Sequence, residues 1–423
     1  MMYKKTLLDN GLKIVACPMS QRQSLALGIW INIGGRYESQ ENKGMSHFLE
    51  HLLFKGTKNY SCRQIKESIE GVGGYLNAFT SEELTCYLVK IPARHMKLAL
   101  DILSDMVLRP RLCAKEMKKE RTVILEEIKM YKDQPHSYVY ELLDGLLWPK
   151  QPLGEPIIGS AETVSAMTRP QISDFKSAHY TAGNIVVSAG GAFDYGLLSK
   201  YVQGKFSHLA KGAANIFVKV KEEQAKPALN LFAKDTEQTH MALGFHALRR
   251  DHPLRHAMGM LHVVLGGNMS SRLFHEVREK RGLAYEIGTQ VKRYNDTGAF
   301  LVHAGIDNRK VPETTRLIMR ELGICKRALV TASEFKRAKE FYLGQLLLAL
   351  EDTMDHMLWI GETTATMNKT YTLKDIIREV NKVNVGDLRE VARKVFRDDK
   401  LNLALIGPIK SQESDIFSEL RVG

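Results

Sequence analysis

His47 and His51 stand four residues apart, with Glu50 between them, in the string His47-Phe48-Leu49-Glu50-His51. On a helix, residues four apart lie on one face, so the two imidazoles would stack one turn apart with Glu50 beside them. Two imidazoles so placed can hold one Zn²⁺ at about 2.0–2.1 Å each. A neighbouring carboxylate can then take a proton from a water that the ion activates. The spacing is HxxEH, the inverse of the HExxH string. Two solvated histidines on an amphipathic helix would give the same letters. A catalytic zinc also needs a third protein ligand and an open position.

The third ligand can be sought in Lys118-Lys-Glu-Arg-Thr-Val-Ile-Leu-Glu-Glu-Ile-Lys-Met-Tyr-Lys-Asp-Gln-Pro135, whose spacing predicts a helix over 114–131. Glu120 and Glu127 are seven apart, which places them on one face about 10 Å apart along the axis. One of them can reach a metal and the other can support it. Glu126 points about 100° away from Glu127 and is the weaker candidate. The competing reading is that all three are solvated helix carboxylates. Elsewhere, Gly73-Gly74 signals a turn into a strand over Tyr75–Thr80. Gly266-Gly267 followed by basic residues suggests a phosphate cradle, but neither GxGxxG nor GxxxxGK[ST] is present.

The elements that must position these groups are strands and helices in alternation. Residues before Asp9-Asn10-Gly11 and Leu12–Ala16 after it read as a strand, a turn and a strand. Leu25–Ile33 and Thr85–Ile91 read as β, and Leu98–Val107 as a helix, with Pro110 separating it from the helix at 114. The pattern then returns. Ala26-Leu27-Gly28 matches Ala242-Leu243-Gly244 (242 − 26 = 216). Gly190 and Gly407 end similar apolar runs (407 − 190 = 217). Ile172-Ser-Asp-Phe175 and Val385-Gly-Asp-Leu388 precede them (385 − 172 = 213). A repeat of about 216 residues gives two homologous tandem domains. Each is expected to be α+β, a mixed or antiparallel sheet with helices packed on it. The expected division is 1–210 for the metal-binding domain, 211–228 for a Lys/Ala/Gln-rich linker, and 229–423 for the second domain. At this offset His47–His51 falls opposite Val263–Gly267, which has no HxxEH.

Composition narrows the classes. The chain has 423 residues, 44% hydrophobic and 26% charged, as in soluble globular proteins. No run approaches 18 apolar residues, so no membrane span is expected. The net charge is 60 − 48 = +12, which permits acidic partners without choosing one. No helix-turn-helix, zinc finger or aromatic-interleaved basic strand supports nucleic-acid binding. Asp9 and Asn10 interrupt any signal-peptide core, and the five cysteines are scattered without a CxxC. A reducing compartment is expected, the bacterial cytoplasm ahead of the mitochondrial matrix.

HFLEHLLFKGT, GGYLNAFTSEELTCY, ERTVILEEIKMYKDQP and PLGEPIIGS, in this order, resemble successive motifs of the pitrilysin/insulinase metallopeptidases. The similarity is to the branch of the mitochondrial processing peptidases and their bacterial relatives. In that family the ligand glutamate follows the helix motif by 76 residues. Here 127 − 51 = 76, so the resemblance implies His47, His51 and Glu127 as ligands of one Zn²⁺ per chain. It implies Glu50 as general base and Glu120 as the supporting carboxylate of the catalytic set. It further implies an edge strand at 75–80 that takes substrate as an added strand, with Asn77, Ala78 and Phe79 in contact. Arg278 would hold a substrate carbonyl or carboxylate, and Tyr285 would donate to the oxyanion. The implied activity is that of a zinc endopeptidase on unstructured peptides. Two chains would close around a chamber, as a homodimer whose Arg/Tyr pair completes the site in trans. The family also contains catalytically inactive structural or docking subunits of heterodimers, typically with degraded motifs.

Overall fold

The computed structural model describes residues 3–409 and 412–422. In the first half the β-branched and apolar runs fold as β1 (Lys4–Leu7), β2 (Lys13–Pro18), β3 (Ser24–Ile31), β4 (Tyr75–Thr80), β5 (Thr85–Pro92) and β6 (Ile185–Gly191). They form one sheet in the order β1-β2-β6-β3-β5-β4. The β2–β6 pair is parallel and the others are antiparallel. Gly11, at φ +91°, makes the turn between β1 and β2, a conformation that favours glycine.

The second half builds β7 (Ala228–Ala233), β8 (Gln238–His246), β9 (Ala284–Arg293), β10 (Gly298–Asp307) and β11 (Leu401–Gly407). Their order is β7-β11-β8-β10-β9, with β7–β11 parallel. This is the order of the first sheet without β1. The repeat read from three short strings is therefore a repeat of topology, and both halves are α+β.

β3 is buried along nearly its whole length, so it cannot show the alternation of a half-exposed strand. Leu25, Leu27, Ile29 and Ile31 face the large core that also holds Phe48 and Leu49. Ala26 and Trp30 face the other way, against Met357, Ile360 and Ala365 of helix Thr353–Met367. Trp30 Nε1 donates to Ser188 Oγ at 2.8 Å, which satisfies the polar atom that its burial would otherwise strand.

The two compact units are not contiguous in sequence. The first consists of residues up to Lys129, Glu155–Val218 and Leu347–Lys374. The second consists of Met130–Gly154, Lys219–Leu346 and Asp375 onward. The chain passes between them at Val218–Lys219, inside the stretch 211–228. Each unit also takes a helical segment from beyond that passage, which the contiguous division 1–210 and 229–423 does not contain. Helix Pro135–Leu147 puts Val139, Leu143 and Leu147 against Ala242, Leu301 and Ala404 of the second sheet. Helix Thr353–Met367 covers the first. Periodicity tells which face of a helix is apolar, and not which sheet that face will meet. Among the described residues no helix is long and apolar enough to cross a membrane.

Candidate metal centre

Helix Met45–Leu53 buries Phe48, Leu49, Leu52 and Leu53 in the core of the first unit. That apolar stripe fixes the helix about its axis, and His47, Glu50 and His51 project from the rest of its surface. Its N-terminus has no capping side chain of its own, since Gly44 stands there at φ +91°. Glu38 supplies the cap from six residues upstream. Its Oε1 accepts the Ser46 N–H at 2.6 Å and its Oε2 the Gly44 N–H at 2.9 Å. Glu38 is 2% exposed, and burial pushes its carboxyl up to about 7 against the pull of these bonds. Lys43 Nζ donates to the Gly35 carbonyl at 2.7 Å beside it. A Cβ on Gly44 would lie 2.5 Å from the Ile158 carbonyl oxygen. Ile158-Gly159 of PLGEPIIGS thus seats the start of this helix backbone against backbone. Glu38 could not be read from the sequence, because its spacing matches no local capping pattern.

The helix Ala114–Asp133 brings Glu120 and Glu127 to the same two histidines. His47 Nε2 is 3.9 Å from Glu127 Oε1, and His51 Nε2 is 3.6 Å from Glu127 Oε2. One donor atom from each of the three lies within 4.8 Å of the others. Ligands about 2.0–2.2 Å from a tetrahedral zinc are separated by about 3.2–3.6 Å, so this donor set fits the ion with small adjustment. His47 is held down to about 3, by burial first and by His51 second. It therefore offers the neutral imidazole that a metal requires. Burial raises Glu127, the response of a carboxylate short of a compensating cation.

Glu120 lies behind His51. Its Oε2 is 3.2 Å from His51 Nδ1, and its Oε1 takes Lys55 Nζ at 2.7 Å. With the Nδ1 proton directed to a carboxylate, His51 Nε2 carries the lone pair toward Glu127. Glu126 instead pairs with Lys129 at 2.7 Å on the exposed face. Glu50 is half-buried, and the lost hydration raises its carboxyl, while a hydrogen bond from Thr80 opposes that shift. Thr80 Oγ1 donates to Glu50 Oε2 at 2.5 Å. Thr80 was not singled out in the sequence; its place at the end of the predicted strand beside the helix was the available signal.

β4 is the outermost strand of its sheet. Tyr75, Asn77 and Phe79 face solvent, whereas Leu76, Ala78 and Thr80 turn inward. The Ser81 N–H donates to the Leu84 carbonyl at 2.8 Å. In an antiparallel ladder bonded and non-bonded positions alternate, so the N–H and C=O groups of Leu76, Ala78 and Thr80 point off the edge. One of them is covered: the Ala78 N–H donates to the Asn77 side-chain oxygen at 2.9 Å.

In the second unit, Arg278 lies on the π-helical stretch Phe274–Glu279. Its guanidinium is 4.7 Å from the centre of the Phe274 ring and 5.6 Å from that of Tyr285, within cation–π range of both. Tyr285 is 76% exposed at the start of the edge strand β9. Phe274 was not anticipated. Residues 263–267, opposite the HxxEH string in the repeat, end helix Arg255–Leu265 and continue into Gly266-Gly267.

Residues 14–161 match the family described as Insulinase (Peptidase family M16), and 166–342 match its companion, the Peptidase M16 inactive domain. The chain is 37% identical over 407 residues to an uncharacterized zinc protease of Bacillus subtilis, covering 96% of this chain and 98% of that protein. It is 35% identical over 414 residues to an uncharacterized zinc protease of Mycobacterium tuberculosis, covering 97% and 94%. A protease from Helicobacter pylori of known crystal structure has the same fold, with a TM-score of 0.89 at 23% identity over 96% of this chain and 100% of the other. A Pseudomonas fluorescens structure described as a peptidase M16 inactive domain also gives 0.89, at 19% identity over 96% and 98%. With near-complete coverage by relatives above 30% identity, the chain belongs to the insulinase (M16) family of zinc peptidases.

Proposed function

We propose that this protein is a zinc-dependent endopeptidase acting on extended, unstructured peptides. The observation that carries the reading is the convergence of His47, His51 and Glu127 within 4.8 Å, with Glu50 on the same helix. His47 Nε2, His51 Nε2 and a Glu127 carboxylate oxygen would hold one Zn²⁺. When bound, the ion supplies a Lewis acid that acidifies water and polarises a carbonyl. Glu50 takes the water proton on its carboxylate and passes it to the departing amine. Glu120 and Lys55 hold His51 in orientation throughout.

Substrate would add to β4, whose free N–H and C=O groups bind a main chain whatever its sequence. A folded protein cannot present such a strand. Asn77, Ala78 and Phe79 line the docking path, and Asn77 must release the Ala78 N–H for a peptide to take it. Arg278 would hold a substrate carbonyl or carboxylate, and Tyr285 would donate to the oxyanion of a second chain's site, within a chamber closed by a homodimer. We place this activity in the bacterial cytoplasm.

The test combines two measurements on purified protein: bound zinc per chain, and chelator-sensitive cleavage of an internally quenched unstructured peptide. Stoichiometric zinc with cleavage lost on chelation is the expected result. Metal-free protein that cleaves nothing overturns the proposal.

A further inference from the structure

We propose that Thr80 is a positioning residue for Glu50, and that through it the docking strand sets the base. This rests on the peptidase reading above. Thr80 is the last residue of β4, and its two ends face different tasks. Its backbone N–H and C=O belong to the free edge, together with those of Leu76 and Ala78. Its side chain turns inward and donates from Oγ1 to Glu50 Oε2 at 2.5 Å. This is the one hydrogen bond to the Glu50 carboxylate among the described residues.

A glutamate has three side-chain torsions and samples several rotamers unless something anchors it. The apolar stripe of helix Met45–Leu53 fixes where the Glu50 side chain starts, and Thr80 fixes where it ends. β4 is held on one side by β5, through the register Ala78↔Tyr87 and Thr80↔Thr85. Among the described residues its other side has no strand partner, and edge positions are the least restrained part of a sheet. A peptide that pairs along β4 supplies the missing partner, steadies Thr80, and so steadies Glu50. The substrate class that follows is an extended peptide long enough to run along Tyr75–Thr80. For such a peptide, added length raises kcat as well as lowering KM.

The experiment compares wild type, Thr80→Val and Thr80→Ser on a nested series of quenched unstructured peptides that extend progressively along β4. In wild type, kcat rises with length. Thr80→Val lowers kcat by roughly 10-fold or more and abolishes its length dependence, with KM and zinc content within about twofold of wild type; Thr80→Ser restores both. Unchanged kcat in Thr80→Val, or loss confined to KM or zinc content, overturns the proposal. A second readout needs no turnover. Thermal midpoints of Thr80→Val, Glu50→Leu and the double variant should be non-additive if the two side chains are bonded, and strict additivity also overturns it. If wild type cleaves no peptide, the peptidase reading falls, and the thermal cycle alone decides whether Thr80 anchors Glu50.

Discussion

Glu120 Oε2 lies 3.2 Å from His51 Nδ1 while the other oxygen of the same carboxylate takes Lys55 Nζ at 2.7 Å. Glu120 is thus a bracket between an imidazole of the candidate metal centre and a cation. Glu120→Gln should retain the fold and lower zinc affinity by about 10–100-fold, as changes behind a histidine ligand do. Competition with a chelating dye measures this. Wild-type affinity in the variant would remove Glu120 from the site.

Glu50 and His51 should separate cleanly. Glu50→Gln keeps zinc and loses turnover, because the amide occupies the same space and cannot accept the proton. His51→Ala loses the metal. Zinc analysis beside single-turnover peptide cleavage distinguishes them. Near-normal cleavage by Glu50→Gln would mean that another group is the base.

Glu38 caps the helix that carries the site, so removing it should loosen that helix from its N-terminus. Glu38→Ala leaves the buried N–H groups of Gly44 and Ser46 without their acceptor, at a cost of about 1–3 kcal/mol each. Glu38→Gln keeps one acceptor oxygen and should lose less. Thermal denaturation ranks the three proteins, and equal midpoints would contradict the capping role.

Acid should destabilise the fold through its buried histidines. His256 is 6% exposed and is held down to about 4, by burial first and then by Arg255 and Arg293. The unfolded chain takes up that proton near pH 6.5 and the folded chain does not until about 4. Its stabilising contribution is therefore complete above pH 6.5 and lost as pH falls toward 4, up to about 3 kcal/mol in all. His256→Gln should show a flatter fall in thermal midpoint between pH 7 and pH 4.5 than the parent. Parallel curves would exclude His256 as a source of acid sensitivity.

Completion of the site in trans predicts complementation. Glu50→Gln and Arg278→Ala dimers should each be inactive, whereas mixing and re-equilibrating them should restore about a quarter of the wild-type rate by statistical pairing. Mixed dimers without activity would place Arg278 in the service of its own chain's site.

The sequence made the fold legible where periodicity was local. Strands β2, β3, β4 and β5 and the helix at 114 were placed within two residues or so. The doubled topology could be read from offsets of 213–217. HxxEH could be read because helical spacing alone puts His47 and His51 on one face. The choice between Glu126 and Glu127 needed the family spacing, since both lie on the same helix turn. Glu38 and Thr80 stayed hidden for a common reason. Each acts across a distance in sequence, from position 38 to 46 and 80 to 50, where no repeat of three or four residues can register. The exchanged helices escaped for the same reason. Phe274 stands four residues before Arg278, a helical spacing that the sequence did offer.

That exchange bears on how the chain can be made. The sheet face carrying Trp30 is covered by Met357 and Ile360, residues that leave the ribosome only after β7 through β10. The first unit therefore waits, with an apolar face uncovered, until most of its sister has been synthesised. A chain cut at residue 218 would also keep helix Pro135–Leu147 without the sheet it belongs to. Synthesis of either half alone should yield a protein that chaperones hold, and co-expression of the two halves should release it.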